Sequence, residues 1–129
     1  MEDLTVEEVI GYHIEIILAS DRDEDRGLEG RLLTPGNLDF VVEFSSGFSD
    51  PFERAAFILH GLATGHAFVE GNKRIAFLLA SLVLLRTPER YEIVSCPEES
   101  DRFVRDVAEG KMTRGEVGIW LRSVTKRNY

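Results

Sequence analysis

His66-Ala67-Phe68-Val69-Glu70-Gly71-Asn72-Lys73-Arg74 runs without a break into the apolar segment Ile75–Leu85, which only Ser81 interrupts. The first part packs a potential base, a carboxylate, a flexible Gly-Asn step and two cations into nine residues. That order reads as a polar loop feeding the N-terminus of a buried helix. The first N–H groups of such a helix lack intrahelical acceptors and its dipole favours anions, so with adjacent cations it is a ready phosphate site. A carboxylate alongside suits Mg²⁺, which prefers oxygen ligands and shares them with nucleotide phosphates. The stretch points to nucleotide chemistry on a helical scaffold.

The flanking sequence supplies more helices. Thr5-Val6-Glu7-Glu8 fits a capping box, and Val6, Val9, Ile10, Ile14, Ile17 and Leu18 recur at helical spacing, predicting a helix from about Val6 to Ala19. Ser20–Gly30 carries almost no apolar residue and reads as a solvated loop. Thr34-Pro35-Gly36-Asn37 is a turn signal. After it, Leu38, Val41 and Val42 favour a short helix, although Phe40–Phe44 is also β-branched and aromatic enough for a strand. Asp50-Pro51-Phe52-Glu53 starts a well-buried helix that should end near Gly65, in the left-handed conformation open to glycine. Thr87-Pro88 ends the helix Asn72–Arg86. Its residues are apolar almost all round, as expected for a helix surrounded by others. Tyr91–Ser95 is a candidate strand. Pro97 opens a helix that Gly110 stops, and Thr113-Arg114-Gly115-Glu116 caps a last one with Val117, Trp120, Leu121 and Val124 inward. Arg122, Lys126 and Arg127 read as a solvated helix end. The pattern is an all-α bundle of about six helices forming one domain over residues 1–129.

With 129 residues the chain can bury a real core. A net charge of −8 disfavours a nucleic-acid partner. The lone Cys96 permits no internal disulfide, and the acidic start Met1-Glu2-Asp3-Leu4 lacks a signal-peptide pattern; both suit a cytoplasmic setting. The longest apolar run is well short of the ~20 residues of a membrane span. His13 and His60 show no metal-ligand spacing and read as structural or surface residues.

In the loop itself, His66 has the side chain that titrates nearest neutrality and can accept a hydroxyl proton. Phe68 can anchor the loop in the core, Glu70 can bind a metal ion, and Gly71 lets the backbone approach a ligand closely. Asn72 can cap the next helix and present its amide to an anion. Lys73 and Arg74 oppose the helix dipole where they stand, and a bound polyphosphate would turn that opposition into attraction. Each residue alone has an ordinary structural explanation. Their order and density speak for function.

The nine residues resemble the signature of the Fic/Doc family, His-x-Phe-x-Asp/Glu-Gly/Ala-Asn-x-Arg. The resemblance implies a compact Fic-fold helical bundle with a buried central helix and a flap segment over the active site, here within Glu24–Asn37. Members that transfer AMP usually have Gly where this chain has Lys73, and a second Arg where it has Phe77. Both departures match the Doc (death-on-curing) branch. A cation in place of Gly crowds the α-phosphate pocket, and loss of the second Arg removes one clamp on the polyphosphate. The resemblance implies a nucleotide bound in reverse, with its γ-phosphate facing the acceptor.

The roles that follow from the resemblance are these. His66 is the general base for an acceptor hydroxyl, and Glu70 holds Mg²⁺. Gly71 and Asn72 form an anion cradle with the helix N-terminus, while Lys73 and Arg74 bind the phosphates of ATP. The expected activity is a Doc-like kinase acting on a Ser or Thr hydroxyl of a target protein, in the best-known branch a translation factor. The self-inhibitory motif of many Fic proteins, Ser/Thr-x-x-x-Glu-Gly/Asn, has its nearest match at Ser20–Asp25, which ends in Asp. A separate antitoxin protein is therefore the expected partner, with no membrane and no direct nucleic-acid contact. Two readings compete: AMP transfer on the same fold, opposed by Lys73 and Phe77, and a catalytically inactive helical binding protein, opposed by the intact His66, Glu70, Asn72 and Arg74.

Overall fold

The computed structural model of the chain describes residues 3–128; Met1 and Glu2 of the acidic start, and Tyr129, lie outside the described residues. Six α-helices are found among these: α1 Val6–Leu18, α2 Pro35–Ser45, α3 Pro51–Gly65, α4 Asn72–Leu85, α5 Pro97–Ala108 and α6 Arg114–Ser123. The expected all-α bundle is what forms. Local chemistry starts most of these helices. The Thr5 hydroxyl accepts from the Glu8 N–H at 3.1 Å, Asp50 accepts from the Phe52 N–H at 2.8 Å, and Thr113 and Glu116 close a full capping box.

The segment whose periodicity was ambiguous is helical. Thr34-Pro35-Gly36-Asn37 is the entry to α2 rather than a separate turn, with Pro35 in the first turn, where its missing N–H costs nothing. Leu38, Val41 and Ser45 are buried on one side, while Phe40 and Phe44, a helical turn apart, lie on the exposed side with ring centroids 4.9 Å apart. A strand would have put Phe40 and Phe44 on the same face as Val42, the face opposite Val41.

The centre of the bundle is α3. It packs most extensively on α4 and is also covered by α2, α5 and α6, while α1 lies on α4. Ala55, Ala56 and Ala63 on α3, with Ala76 and Ala80 on α4, are buried small residues that let the helices approach. Ile58, Leu59, Leu62, Ile75, Leu79 and Leu84 are fully buried among them, and truncating any one to alanine would cost about 2–5 kcal/mol. The all-round burial expected of α4 holds where α3 and α1 pack on it, but not on its remaining face. Phe77, Leu78, Ser81 and the exposed Leu85 line an open cavity instead.

The candidate strand is the two-residue β1, Glu92–Ile93, which pairs antiparallel with β2, Thr125–Lys126. Lys126 therefore belongs to a strand, not to a solvated helix end: α6 stops at Ser123 and the chain turns back along β1, with the Val94 N–H donating to the Val124 carbonyl at 2.7 Å.

The end of α3 also differs from its expected form. The helix runs through Gly65, and the left-handed residue is His66, with φ 51° and ψ 47°. Gly65 is needed for a different reason: a Cβ there would lie 2.0 Å from Nδ2 of Asn37, which donates to the Gly61 carbonyl at 3.3 Å. Gly65→Ala is expected to destabilise the protein by about 1–3 kcal/mol as an overpacking change. In an Asn37→Ala background the same change should become neutral or favourable, because alanine is the better helix former by about 1 kcal/mol. Denaturant unfolding of this double-mutant set reads the reversal of sign.

Candidate functional site

The loop between α3 and α4 is held by its own middle residue and by the first residue of α4. Phe68 is fully buried. The Asn72 amide closes the loop across it, Oδ1 accepting from the Phe68 N–H at 2.9 Å and Nδ2 donating to the Phe68 carbonyl at 2.8 Å. The capping position belongs to Gly71, at φ 84°, and no side chain caps α4. Asn72 is therefore a staple rather than a cap, and the first-turn N–H groups of α4 are left without a side-chain acceptor, the condition an anion site requires. A Cβ on Gly71 would meet Ile17 at 3.2 Å and His13 at 3.3 Å, so the close approach that this glycine permits is to α1.

His13 falls on the buried stripe of α1, between Val9 and Ile17. Its ring stacks on Phe68 with centroids 3.7 Å apart and planes 7° from parallel. The Gly30 N–H donates to Nδ1 at 3.0 Å, so the ring proton sits on Nε2 and is donated to the Glu70 carbonyl at 2.7 Å. Burial holds the imidazole below its ordinary pKa, in the neutral form that this geometry uses. Of the two roles read for His13, the structural one is correct. The expected flap is joined to the same loop: Leu32 bridges Phe68, the Leu33 N–H donates to the Ala67 carbonyl at 2.8 Å, and the Val69 N–H donates to the Arg31 carbonyl at 3.0 Å.

Ser20–Gly30 is not wholly solvated. Asp23–Asp25 is a turn of 3₁₀ helix, and the Asp25 side chain is 1% exposed. Arg74 holds that carboxylate through a two-pronged pair, Nη1 to Oδ2 and Nη2 to Oδ1, both at 2.8 Å. The Ser20 hydroxyl donates a further bond to Oδ2 at 2.5 Å. These donors, Arg74 first, bring the Asp25 carboxyl down to about 2. The segment nearest to the self-inhibitory motif thus forms a short turn whose last acid grips a cation of the loop.

Glu70, Gly71, Asn72, Lys73 and Arg74 line one cavity of about 790 Å³, within the range that holds nucleotide-sized ligands. The cavity continues along the open side of α4, past Phe77, Leu78 and Ser81, to Tyr91, Ile93, Ser100 and Val104. His66 does not line it. It stands exposed at the end of α3, accessible to a macromolecular substrate. The sequence reading missed Asp25 and the cavity-lining Arg22. The density of charge directly after α1 was their only signal, because the partner that orders Asp25 lies 49 residues further on.

Asp25 contributes stability with a definite pH dependence. Its folded pKa lies below the ordinary 3.8, so the contribution is complete above about pH 4 and is lost as pH falls toward 2. With solvent screening at the rim it is on the order of 1 kcal/mol. Asp25→Asn should be less stable than the wild type at about pH 6, and the gap should narrow by that amount between about pH 4 and pH 2. Denaturant titrations of both proteins across this range measure it, and a pH-independent gap would contradict it.

Nine chains of known structure match this one. One of them, described as "Fic-1 (aa134 - 508) from C. elegans", has a TM-score of 0.62 and 21% sequence identity, over 95% of this chain and 43% of that one. The chain thus spans less than half of that protein's length, and at this identity the likeness is one of fold. No functionally curated protein matches in sequence. The family model described as Fic/DOC family matches residues 3–84, which include α1, the flap, α2, α3, the loop and nearly all of α4. The chain belongs to the Fic/DOC family, whose members are in general transferases.

Proposed function

We propose that the chain is a Doc-like protein kinase that moves the γ-phosphate of ATP to a Ser or Thr hydroxyl of a target protein, and that it acts in the cytoplasm as the toxin of a toxin–antitoxin pair. The observation that carries this over AMP transfer is the α4 wall of the cavity. Lys73 and Phe77 both line it, at the positions where the family resemblance puts Gly and a second Arg in AMP-transferring members. A cation there narrows the space for an α-phosphate carrying a nucleoside, and a phenyl ring supplies no second clamp.

In this reading the terminal phosphates rest against the uncapped N-terminus of α4, with Gly71 and Asn72 shaping the cradle and Lys73 and Arg74 meeting the charge. The acceptor arrives from outside, past the exposed His66. The imidazole takes the hydroxyl proton as the oxygen bonds to the γ-phosphorus. The bond from that phosphorus to the bridging oxygen breaks and ADP departs. Arg74 is fixed before the reaction by Asp25, so the field it adds needs no reorganisation, while the exposed Lys73 is free to turn to the phosphates. The donor set suits Mg²⁺: Glu70 offers a carboxylate oxygen in the same cavity as the two cations. Among the described residues no three His, Cys, Asp or Glu side chains gather, so phosphate and water oxygens would complete the shell, as Mg²⁺ prefers. When bound, the ion would neutralise charge on the phosphates.

The apolar trough along α4, continuous with the phosphate end, favours an antitoxin helix as the silencing partner: Phe77, Leu78 and Val104 offer it an apolar seat, and its presence there would block the cavity.

Incubation with lysate, Mg²⁺ and ATP labelled at the γ-phosphate should label a protein, and His66→Ala should abolish that labelling. ATP labelled at the α-phosphate should give none. Label from the α-position would establish AMP transfer instead, and equal labelling by His66→Ala would sink the catalytic assignment. Expressed alone, the chain should arrest growth and His66→Ala should relieve the arrest; unimpaired growth counts against the toxin role.

A further inference from the structure

We propose that Arg22 is a third phosphate-binding cation of the site, delivered by the turn after α1 and held in reserve by Glu24. The proposal rests on the nucleotide reading above and names a residue to which neither the signature nor the comparisons assign a role. Arg22 lines the same cavity as Glu70, Lys73 and Arg74, although it stands far from them in sequence.

Its backbone is fixed relative to the phosphate end. The Ser20 hydroxyl accepts from the Arg22 N–H at 3.1 Å and donates to Asp25, and Asp25 is clamped by Arg74. The turn is thereby bolted to a residue of the cradle, and Arg22 extends from it. Its side chain is 55% exposed. Nε donates to Oε1 of Glu24 at 2.9 Å, which leaves the four N–H groups of the two terminal nitrogens for a ligand. Glu70 is close enough to add to the field on Arg22.

The electrostatics of the cavity give this arrangement a purpose. Phe77 supplies no charge, the fork of Arg74 is already occupied by Asp25, and Lys73 shares the cavity with the opposite charge of Glu70. A polyphosphate arriving here meets little uncompensated positive charge unless another cation turns to it. An ion pair between two half-exposed side chains is weak, because water and salt screen it. Arginine–phosphate pairing is charge-assisted and often two-pronged, so exchange of Glu24 for phosphate is favourable. Arg22 and Glu24 then act as a latch that opens when the anion binds.

Calorimetric titration with inorganic tripolyphosphate and with ATP, both in Mg²⁺ buffer, tests this. Arg22→Gln should weaken both ligands about tenfold, the scale of one charge-assisted hydrogen bond, at an unchanged melting temperature. Arg22→Lys should recover part of the loss. Glu24→Gln should tighten both ligands a few-fold, and that gain should vanish in the Arg22→Gln background. Wild-type affinity in Arg22→Gln, with ATP still bound by both proteins, overturns the role of Arg22 and leaves the nucleotide reading standing. So does a Glu24→Gln gain that persists without Arg22, since it would be a general field effect. Arg22-dependent binding of tripolyphosphate without binding of ATP supports the third cation and removes the nucleotide reading. Failure of the wild type to bind either ligand removes both.

Discussion

A buried imidazole holds the site together. His13 ties α1 to two other segments: it accepts from Gly30 of the flap, and it meets the α3–α4 loop twice, donating to the Glu70 carbonyl and stacking on Phe68. Several features of the loop are built around this contact. The Asn72 staple closes around Phe68, and Phe68 is flat against His13. A Cβ on Gly71 would crowd His13 at 3.3 Å, besides straining a backbone at φ 84°. The flap segment Arg31–Leu33 lies against Ala67–Val69, and the His13 ring joins the flap to the loop beside it. Both ring nitrogens are committed, so the ring cannot turn without breaking a bond to the flap or to the loop. A polar side chain buried with both partners satisfied rigidifies its surroundings, where the same residue left unpaired would weaken them.

The charged groups form a second layer outside that node. Arg74 and Asp25 make a pair with the acid fully buried, and Arg22 and Glu24 make an exposed one on the same turn. The difference in burial is a difference in how firmly each pair is held. The buried pair is expensive to break, because an uncompensated charge would be left inside. It fixes where the turn sits. The exposed pair is screened by water and is weakly held. In the proposed site, one arginine fixed by Asp25 and one held by Glu24 are how a chain of strongly acidic composition would present positive charge to a phosphate.

Much of this fold could be read from the chain because its signals were local. Thr5, Asp50-Pro51 and Thr113-Glu116 start helices through contacts two or three residues away, and the structure places those starts where the spacing did. The signature loop was equally legible as an ordered string. The parts that could not be read depend on distant partners. Asp25 looks like any acid in a charged loop until Arg74 arrives from 49 residues away, and His13 meets Glu70 across 57. The pairing of Glu92 with Lys126 has no local mark, so the tail read as a helix end. Phe40–Phe44 suited two periods, and only its packing against α3 decides for helix. Gly65 was read as a stop because glycine usually supplies the left-handed residue, whereas here crowding by Asn37 requires it and His66 takes the conformation.

That last detail bears on the history of the chain. A histidine at φ 51° occupies backbone space that a side chain enters at a cost of about 1–2 kcal/mol, and glycine or asparagine would sit there with less strain. Mutation is biased toward such relief wherever nothing opposes it. A descendant that used the bundle only to bind would be free to drift toward the easier residue at this one position, gaining stability as it did so. Under the proposed function the imidazole stays at this position at a cost in stability, because it is the group that takes the acceptor proton.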